Sequence, residues 1–325
     1  MSKKKKKVNL FIYPTYRCSN DCLFCFIDPK MRNKKNDLTL AEIKKNINYF
    51  DKRYSIQGLA LVGGDPFLYP DIIPLLNFLN DKYLSCSKIR HFTLCSEALK
   101  CSSMSFVSYL TKFFGSQTSF YGSLHISLNN FSPNDKFLEK RKKAILNLAK
   151  RGFRLHFVLV FTKNNLSAII KAVSFLTNIF SRYYSDFSPT DFMVELRLPF
   201  NSDDNKSGLF ILESKQFLKS FRQISNLLFK KQIPLALRNI PLCYLEKKRL
   251  VTLDRVNFIK TNIDKIAVRI NKENQFDKAE VNTFGKKGWS LQKDCFSCIL
   301  KDKCNGISFN YINYFDYPVL KPLVK

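Results

Sequence analysis

Cys18, Cys22 and Cys25 stand at a C-x3-C-x2-C spacing within Tyr16-Arg17-Cys18-Ser19-Asn20-Asp21-Cys22-Leu23-Phe24-Cys25. Three thiolates so close on one loop suit three irons of a [4Fe–4S] cube and leave the fourth iron without a protein ligand. An open iron on an otherwise closed cluster is a place for chemistry, as is the open position of a catalytic zinc site. The plainer alternatives are a zinc knuckle short of one ligand, or three chance thiols. A second stretch with chemical potential is Gly63-Gly64-Asp65-Pro66. Adjacent glycines let a backbone approach a ligand closely and expose its amides and carbonyls. The chain holds 10 cysteines. The apolar run at 8–13 is too short for a signal-peptide core, so a cytosolic chain is expected, in which such cysteines point to metal or redox chemistry rather than disulfides.

These residues must be positioned by something, and the apolar pattern indicates what. Strand-type runs occupy residues 8–15, 56–62, 88–95, 124–128, 153–161 and 192–198. Each is followed by a helical pattern, at 36–53, 69–82, 103–114, 133–151, 166–183 and 214–230. Thr39-x-x-Glu42 reads as a capping box for the first helix, with Leu40, Ile43, Ile47 and Phe50 on one face. Pro133 is placed near the start of the fourth helix. Six such units predict an α/β fold, a partial (β/α)6 TIM-like barrel of parallel strands. A doubly wound sheet is the alternative. In a barrel the reactive groups sit at the C-terminal ends of the strands, where both the cysteine loop and the Gly-Gly segment fall. The predicted barrel spans 8–232 and a small cysteine-rich domain spans 233–325. That second part opens on a strand at 233–238, and 266–270 with 279–283 reads as a small hairpin.

With Phe24 just before its last cysteine, the loop resembles that of the radical S-adenosylmethionine (radical SAM) superfamily. The resemblance implies a [4Fe–4S] cluster on Cys18, Cys22 and Cys25, with S-adenosylmethionine at the open iron and Phe24 beside it. Members usually carry Gly-Gly-Glu-Pro after the second strand, binding the amino group of the methionine moiety. Gly63, Gly64 and Asp65 occupy those positions, the carboxylate being one methylene shorter. A strand-end serine often contacts the ribose or carboxylate of the cofactor, and Ser127 ends the fourth strand. His125 shares its face and reads as a core histidine. Where members often have Thr-Asn-Gly after the third strand, this chain has Thr93-Leu94-Cys95-Ser96, and no contact carries over. Arg197, on the sixth strand, is placed either to reach a carboxylate or the substrate, or to make a structural salt bridge.

The tail has Cys295, Cys298 and Cys304 at C-x2-C-x5-C. It is similar to the auxiliary-cluster extensions, SPASM or the shorter twitch, of radical SAM maturases. In the full pattern a further cysteine follows four positions on, and Ser308 stands there. One second [4Fe–4S] cluster is implied, with Cys243 as fourth ligand. A zinc ribbon on the same four cysteines is the competitor, since four thiolates suit either metal. Cys86, Cys95 and Cys101 match no metal spacing and read as ordinary thiols.

The resemblance implies reductive cleavage of S-adenosylmethionine to a 5′-deoxyadenosyl radical, with a flavodoxin or ferredoxin as reductant. Members with such tails often modify peptides or proteins, which makes a peptide the leading substrate expectation. The alternatives are a nucleotide, RNA or cofactor precursor as substrate, or a binding protein whose Fe–S or zinc sites are only structural. The formal charge is +28, from 54 Lys and Arg against 26 Asp and Glu, which keeps RNA in view. The lysines are spread along the chain apart from Lys3–Lys7, and their excess fits compositional drift on a solvated surface. No apolar run reaches the ~18–20 residues of a membrane span, so a cytoplasmic protein without membrane partners is expected.

Overall fold

The computed structural model describes residues 5–25, 27–86, 88–115, 121–186, 188, 191–199, 214–238, 240–244, 256–258, 266–270, 289–290, 293–299, 301, 304 and 306–308. β1 (Lys6–Ile12) leads to α1 (Leu40–Arg53), β2 (Tyr54–Leu61) to α2 (Ile72–Leu79), and β3 (His91–Ser96) to α3 (Met104–Gly115). β4 (Tyr121–Ser127) leads to α4 (Leu138–Lys150), β5 (Leu155–Val160) to α5 (Leu166–Tyr183), and β6 (Phe192–Arg197) to α6 (Ser214–Lys230). Then come β7 (Leu235–Arg238), β8 (Val256–Phe258), β9 (Ile266–Ile270) and a short antiparallel pair, β10 (Trp289–Ser290) with β11 (Ile307–Ser308).

The first nine strands form one sheet in the order β8-β7-β6-β5-β4-β3-β2-β1-β9. Every pairing in it is parallel. Among the described residues no pairing joins the edge strands β8 and β9, so the barrel is open. This is the α/β partial barrel that the alternation predicts.

Strand alternation separates the two faces of the sheet. On β6, Phe192, Val194 and Leu196 are buried in the core. The Phe192 ring packs 5.3 Å from Phe180 of α5 and 4.9 Å from Tyr184, which marks the helix-covered side. Met193, Glu195 and Arg197 therefore take the opposite, inner side. α1 begins at the expected box: Thr39 Oγ accepts from Glu42 N at 3.2 Å, and Glu42 Oε2 accepts from Thr39 N at 2.7 Å. Ile43, Ile47 and Phe50 form its buried face.

Residues 266–270 form the strand expected there, and it pairs in parallel with β1 at the sheet edge. The other arm of the expected hairpin, 279–283, lies outside the described residues. α4 starts at Leu138, five positions after Pro133; the chain turns first at Asp135, whose Oδ1 accepts from Phe137 N. The helix expected over 69–82 is regular only over Ile72–Leu79, then widens into a π turn at Asn80–Leu84.

Candidate active site

The cysteine loop leaves β1 and is fastened where β2, β3 and α4 meet it. Gly64 N donates to Thr15 O at 3.1 Å, and Asp65 N donates to Arg17 O at 2.6 Å. The two glycines are what allow this contact. Gly63 has φ +123°, and a Cβ there would lie 2.5 Å from Thr15 O. At Gly64 a Cβ would lie 2.1 Å from Arg17 O and 2.4 Å from Tyr16 O. Backbone, not a flexible side chain, is the obstacle, so both positions exclude a side chain. Close approach of backbone was the sequence-level reason for the glycines; the backbone approached includes that of the cysteine loop.

Asp65 is 1% exposed. Its Oδ1 accepts from Ser96 Oγ at 2.6 Å and from Phe67 N at 3.0 Å, which ties the exit of β2 to the end of β3. Burial pushes this carboxyl up to about 6, against the opposing pull of the Ser96 hydroxyl. At the other side of the loop's base, Arg17 Nη2 lies 2.7 Å from Asp37 Oδ2 and donates to Leu68 O at 2.7 Å.

The loop itself rests on charges that the sequence reading missed. Cys18 Sγ donates to Glu97 Oε1 at 2.8 Å, and Asn20 N donates to the same oxygen at 3.0 Å. Glu97 Oε2 in turn lies 3.2 Å from Arg141 Nη1, and Arg141 Nη2 donates to Asn20 Oδ1 at 3.2 Å. Arg141 is wholly buried, with Asp135 as its second carboxylate at 3.3 Å. Buried charges persist only when paired in this way. The available signal for Glu97 was an acidic residue just past a strand's C-terminal end.

The donor set fits an iron–sulfur group. Cys25 N donates to Cys22 O at 3.0 Å, so the last two cysteines share one turn. Burial pushes the Cys22 thiol up to about 12, with further increases from Cys25 and Glu97, while Arg32 and Arg141 pull the other way. Burial, then Glu97, likewise drives Cys18 upward. Thiols kept neutral by enclosure become ligands once a cation replaces the proton. Ser19 Oγ, between Cys18 and Asn20, is buried without a hydrogen-bond partner among the described residues. Phe24 is half-buried in the same turn. Among the described residues no three His, Cys, Asp or Glu side chains converge as they would on a single ion. A cube spreads its cysteine sulfurs over separate irons.

The tail cysteines gather on the segment after β7. Cys304 Sγ accepts from Leu242 N at 3.5 Å and from Gly306 N at 3.4 Å. Burial, then the neighbouring Cys304, Cys295 and Cys298, push the Cys243 thiol up to about 12. Cys298 N donates to Cys295 O at 3.1 Å, closing the C-x2-C turn. Cys243 is thus within electrostatic reach of Cys304, Cys295 and Cys298, although among the described residues no three of the four converge as they would on a single ion. Cys101 is buried in the core, and Cys86 is exposed.

The inner face carries a polar band across adjoining strands. Cys95, His125 and His156 are register partners on β3, β4 and β5. The His125 and His156 rings lie 4.1 Å apart, and enclosure, then His156, holds His125 well below its usual value. His125 was expected in the core; it is half-buried on the inner face, two positions before the half-buried Ser127. His156 Nε2 lies 2.9 Å from Glu195 Oε2, and Arg238 Nε lies 3.2 Å from Glu195 Oε1. Arg197 Nε bonds to the same Oε1, so of the two roles open to Arg197 the salt bridge is present. Burial alone would raise the Glu195 carboxyl, but His156, Arg197 and Arg238 together hold it well below the carboxylate range. Glu195 was legible as a charge in an apolar strand; His156 and Arg238 gave no comparable signal.

Residues 12–176 match the family model of the radical SAM superfamily. No curated protein matches the sequence. Among solved structures, Streptococcus suis SuiB bound to S-adenosylmethionine is similar at 15% identity and a TM-score of 0.56, over 97% of this chain and 76% of that one. Histidine-tagged anSMEcpe with bound AdoMet is similar at 13% identity and a TM-score of 0.61, over 97% of this chain and 93% of the other. Native anSMEcpe with bound AdoMet and the Cp18Cys peptide gives 13% identity and a TM-score of 0.60, over 97% and 92%. At such identities the likeness is one of fold.

Proposed function

The chain belongs to the radical SAM superfamily and is an enzyme, and from that premise we propose that it cleaves S-adenosylmethionine reductively in order to modify a peptide or protein. The observation that carries the first part is the cysteine loop, strapped to the ends of the first strands, with Cys22 and Cys25 on one turn and Cys18 held by Glu97. In this reading Cys18, Cys22 and Cys25 hold a [4Fe–4S] cluster. Bound there with S-adenosylmethionine, the group would take one electron and yield methionine and a 5′-deoxyadenosyl radical able to abstract hydrogen from an unactivated carbon.

The chain's own contribution is position and enclosure. Phe24, Gly63, Gly64, Asp65 and Ser127 face the cofactor in this reading, with Asp65 acting through the backbone it braces. The inner sheet face screens the reacting carbon from water. A flavodoxin or ferredoxin would supply the electron. A second [4Fe–4S] cluster on Cys243, Cys295, Cys298 and Cys304 is supported by the clustering of those thiols. The amides donated to Cys304 Sγ also suit a thiolate ligand, whose potential such bonds tune. Residues 8–232 would then form the catalytic barrel together with β7, β8 and β9, and the rest of 233–325 the auxiliary part. The peptide is supported by the fold shared with anSMEcpe, a structure of which holds the Cp18Cys peptide.

Anaerobic reconstitution with iron and sulfide, reduction with dithionite and chromatography of the products tests the reading. Release of 5′-deoxyadenosine and methionine in equal amounts is expected. A protein that takes up zinc, no iron, and leaves S-adenosylmethionine intact would overturn it. The charge of +28 favours RNA as the second substrate reading, and RNA binding that weakens steeply with salt would support that instead.

A further inference from the structure

The polar band on the inner face has a part that the reaction as described does not use. Arg197 on β6 and Arg238 on β7 are register partners, at the C-terminal ends of their strands. That is the end of the sheet from which the cysteine loop and the Gly-Gly segment also depart. Both guanidinium groups face one wholly buried carboxylate, that of Glu195: Arg197 Nε bonds to its Oε1, and Arg238 Nε lies 3.2 Å from the same oxygen. The side chains are themselves partly exposed, at 26% and 29%. Among the described residues, the terminal nitrogens of both arginines lack a partner.

Among the described residues charge does not balance here: one carboxylate faces two guanidinium groups, and the other neighbours are His156, His125 and Cys95. Burial, then the charge of Arg197, pull Arg238 below its ordinary value, which is how crowding of like charges registers. Guanidinium nevertheless stays protonated in proteins, so the positive charge cannot be shed as a histidine or lysine would shed it. A half-enclosed pair of oriented forks with one net positive charge suits a single carboxylate, whose two oxygens match the planar donors. A polyphosphate backbone would bring more negative charge than the pair balances.

We infer that Arg197 and Arg238 form a carboxylate site for the substrate, recognising an acidic side chain or a free C-terminus of the peptide inside the barrel. Glu195 is a positioning residue: it aims the forks and does not touch the ligand. His156 holds the opposite oxygen of Glu195 and completes the mount. The inference rests on the peptide-modification reading.

The test uses the reconstituted holoenzyme and three degenerate probes. These are an acetylated, amidated tripeptide pool with glutamate at its centre, the same pool with glutamine, and an acetylated all-neutral pool with a free C-terminus. Retention on immobilised wild-type protein is measured beside the dissociation constant of S-adenosylmethionine. At least one acid pool is expected to be retained about tenfold over the glutamine pool. The R197Q/R238Q variant should lose that preference while keeping its iron, its affinity for S-adenosylmethionine and its unstimulated cleavage. If the double variant fails to fold because Glu195 is left unpaired, E195Q/R197Q/R238Q removes all three charges and gives the same answer.

Equal retention of acid and amide pools by the wild type overturns the inference and leaves the cleavage reading standing. Loss of S-adenosylmethionine affinity in the variants, with the peptide preference intact, also overturns it by giving the arginines to the cofactor. Displacement of the acid pools by a short RNA from the wild type alone overturns it in favour of phosphate. Absence of S-adenosylmethionine cleavage by the wild type is the separate failure, that of the underlying reading.

Discussion

The loop of Cys18, Cys22 and Cys25 and the group of Cys243, Cys295, Cys298 and Cys304 are held by different forces. The first rests on buried ions brought from far along the chain: Arg141 reaches Asn20 across 121 positions, and Glu97 reaches Cys18 across 79. The second is held by local turns, by enclosure of its own thiols, and by amides on Cys304. A network of buried charges adds little net stability but defines one arrangement and makes its disruption costly. A site whose ligands have chiefly one another for neighbours depends on the metal for folding energy. The first loop should therefore keep its shape when empty, and the second should not.

The sharpest separation comes from the ligands themselves. The C18A/C22A/C25A variant is expected to lose S-adenosylmethionine cleavage completely while retaining the iron of the tail. The C295A/C298A variant should lose roughly four irons per chain, the content of one cube, and keep the first cluster. Iron analysis with electron paramagnetic resonance of the reduced samples reads both. Preparing metal-free protein should then open only one region to trypsin, with cutting at Lys293 or Lys301 and none at Arg17 or Arg32. Cutting at Arg17 would show that the ion network does not hold the loop unaided, and the contrast between the regions would fall.

Next in size is the centre of that network. Arg141→Met leaves Glu97 and Asp135 buried without their cation, and removal of one partner from such a group costs about 3–5 kcal/mol. Denaturant unfolding of the metal-free protein should register the loss, and first-loop iron should fall with tail iron unchanged. A cost of under about 1 kcal/mol, the level of an exposed pair, would mean that the charges are solvated in practice. Gly64→Ala should follow. Its Cβ meets two backbone carbonyls, and crowding of this kind costs about 1–3 kcal/mol. Gly58→Ala is its counterpart away from the loop, where the obstacle at 2.0 Å is the His91 ring. A side chain can turn away, so the loss should be smaller and iron content should stay the same.

Legibility in the sequence followed the range of the interactions. The β/α alternation, the Thr39–Glu42 box and the cysteine spacings are local patterns, and each is present as expected. The parallel pairing of β9 with β1 joins opposite ends of the chain and left no periodic mark, so 266–270 read as part of the small second domain rather than of the sheet. Arg141 lies on a helix whose sequence, Leu-Glu-Lys-Arg-Lys-Lys, looks like a solvated face; only the folded chain distinguishes the one buried cation from its neighbours. The pairing of Arg238 with Glu195 is equally silent, because β7 reads as an ordinary short strand ending in a basic residue. Charge inside the apolar run of β6 was the one clue, since such a charge must have partners.

The smallest effect examines whether α1 shares in holding the first loop. Thr39 caps α1, and Asp37, two positions before, receives the Thr15 hydroxyl and the Arg17 guanidinium from the base of the loop. Thr39→Ala removes the Oγ that accepts from Glu42 N and donates to Glu42 Oε2, a loss of about 1 kcal/mol for an N-cap. If the loop is placed mainly by Glu97 and Arg141, the helix start can loosen without moving the cysteines. The expectation is then a stability loss of that size in urea, with first-loop iron and cleavage unchanged. A fall in first-loop iron as large as that of Arg141→Met would instead put α1, through Asp37, on equal terms with the buried ions. The loop's independence of its metal would then have a second source, in the rigidity of a capped helix rather than in charge.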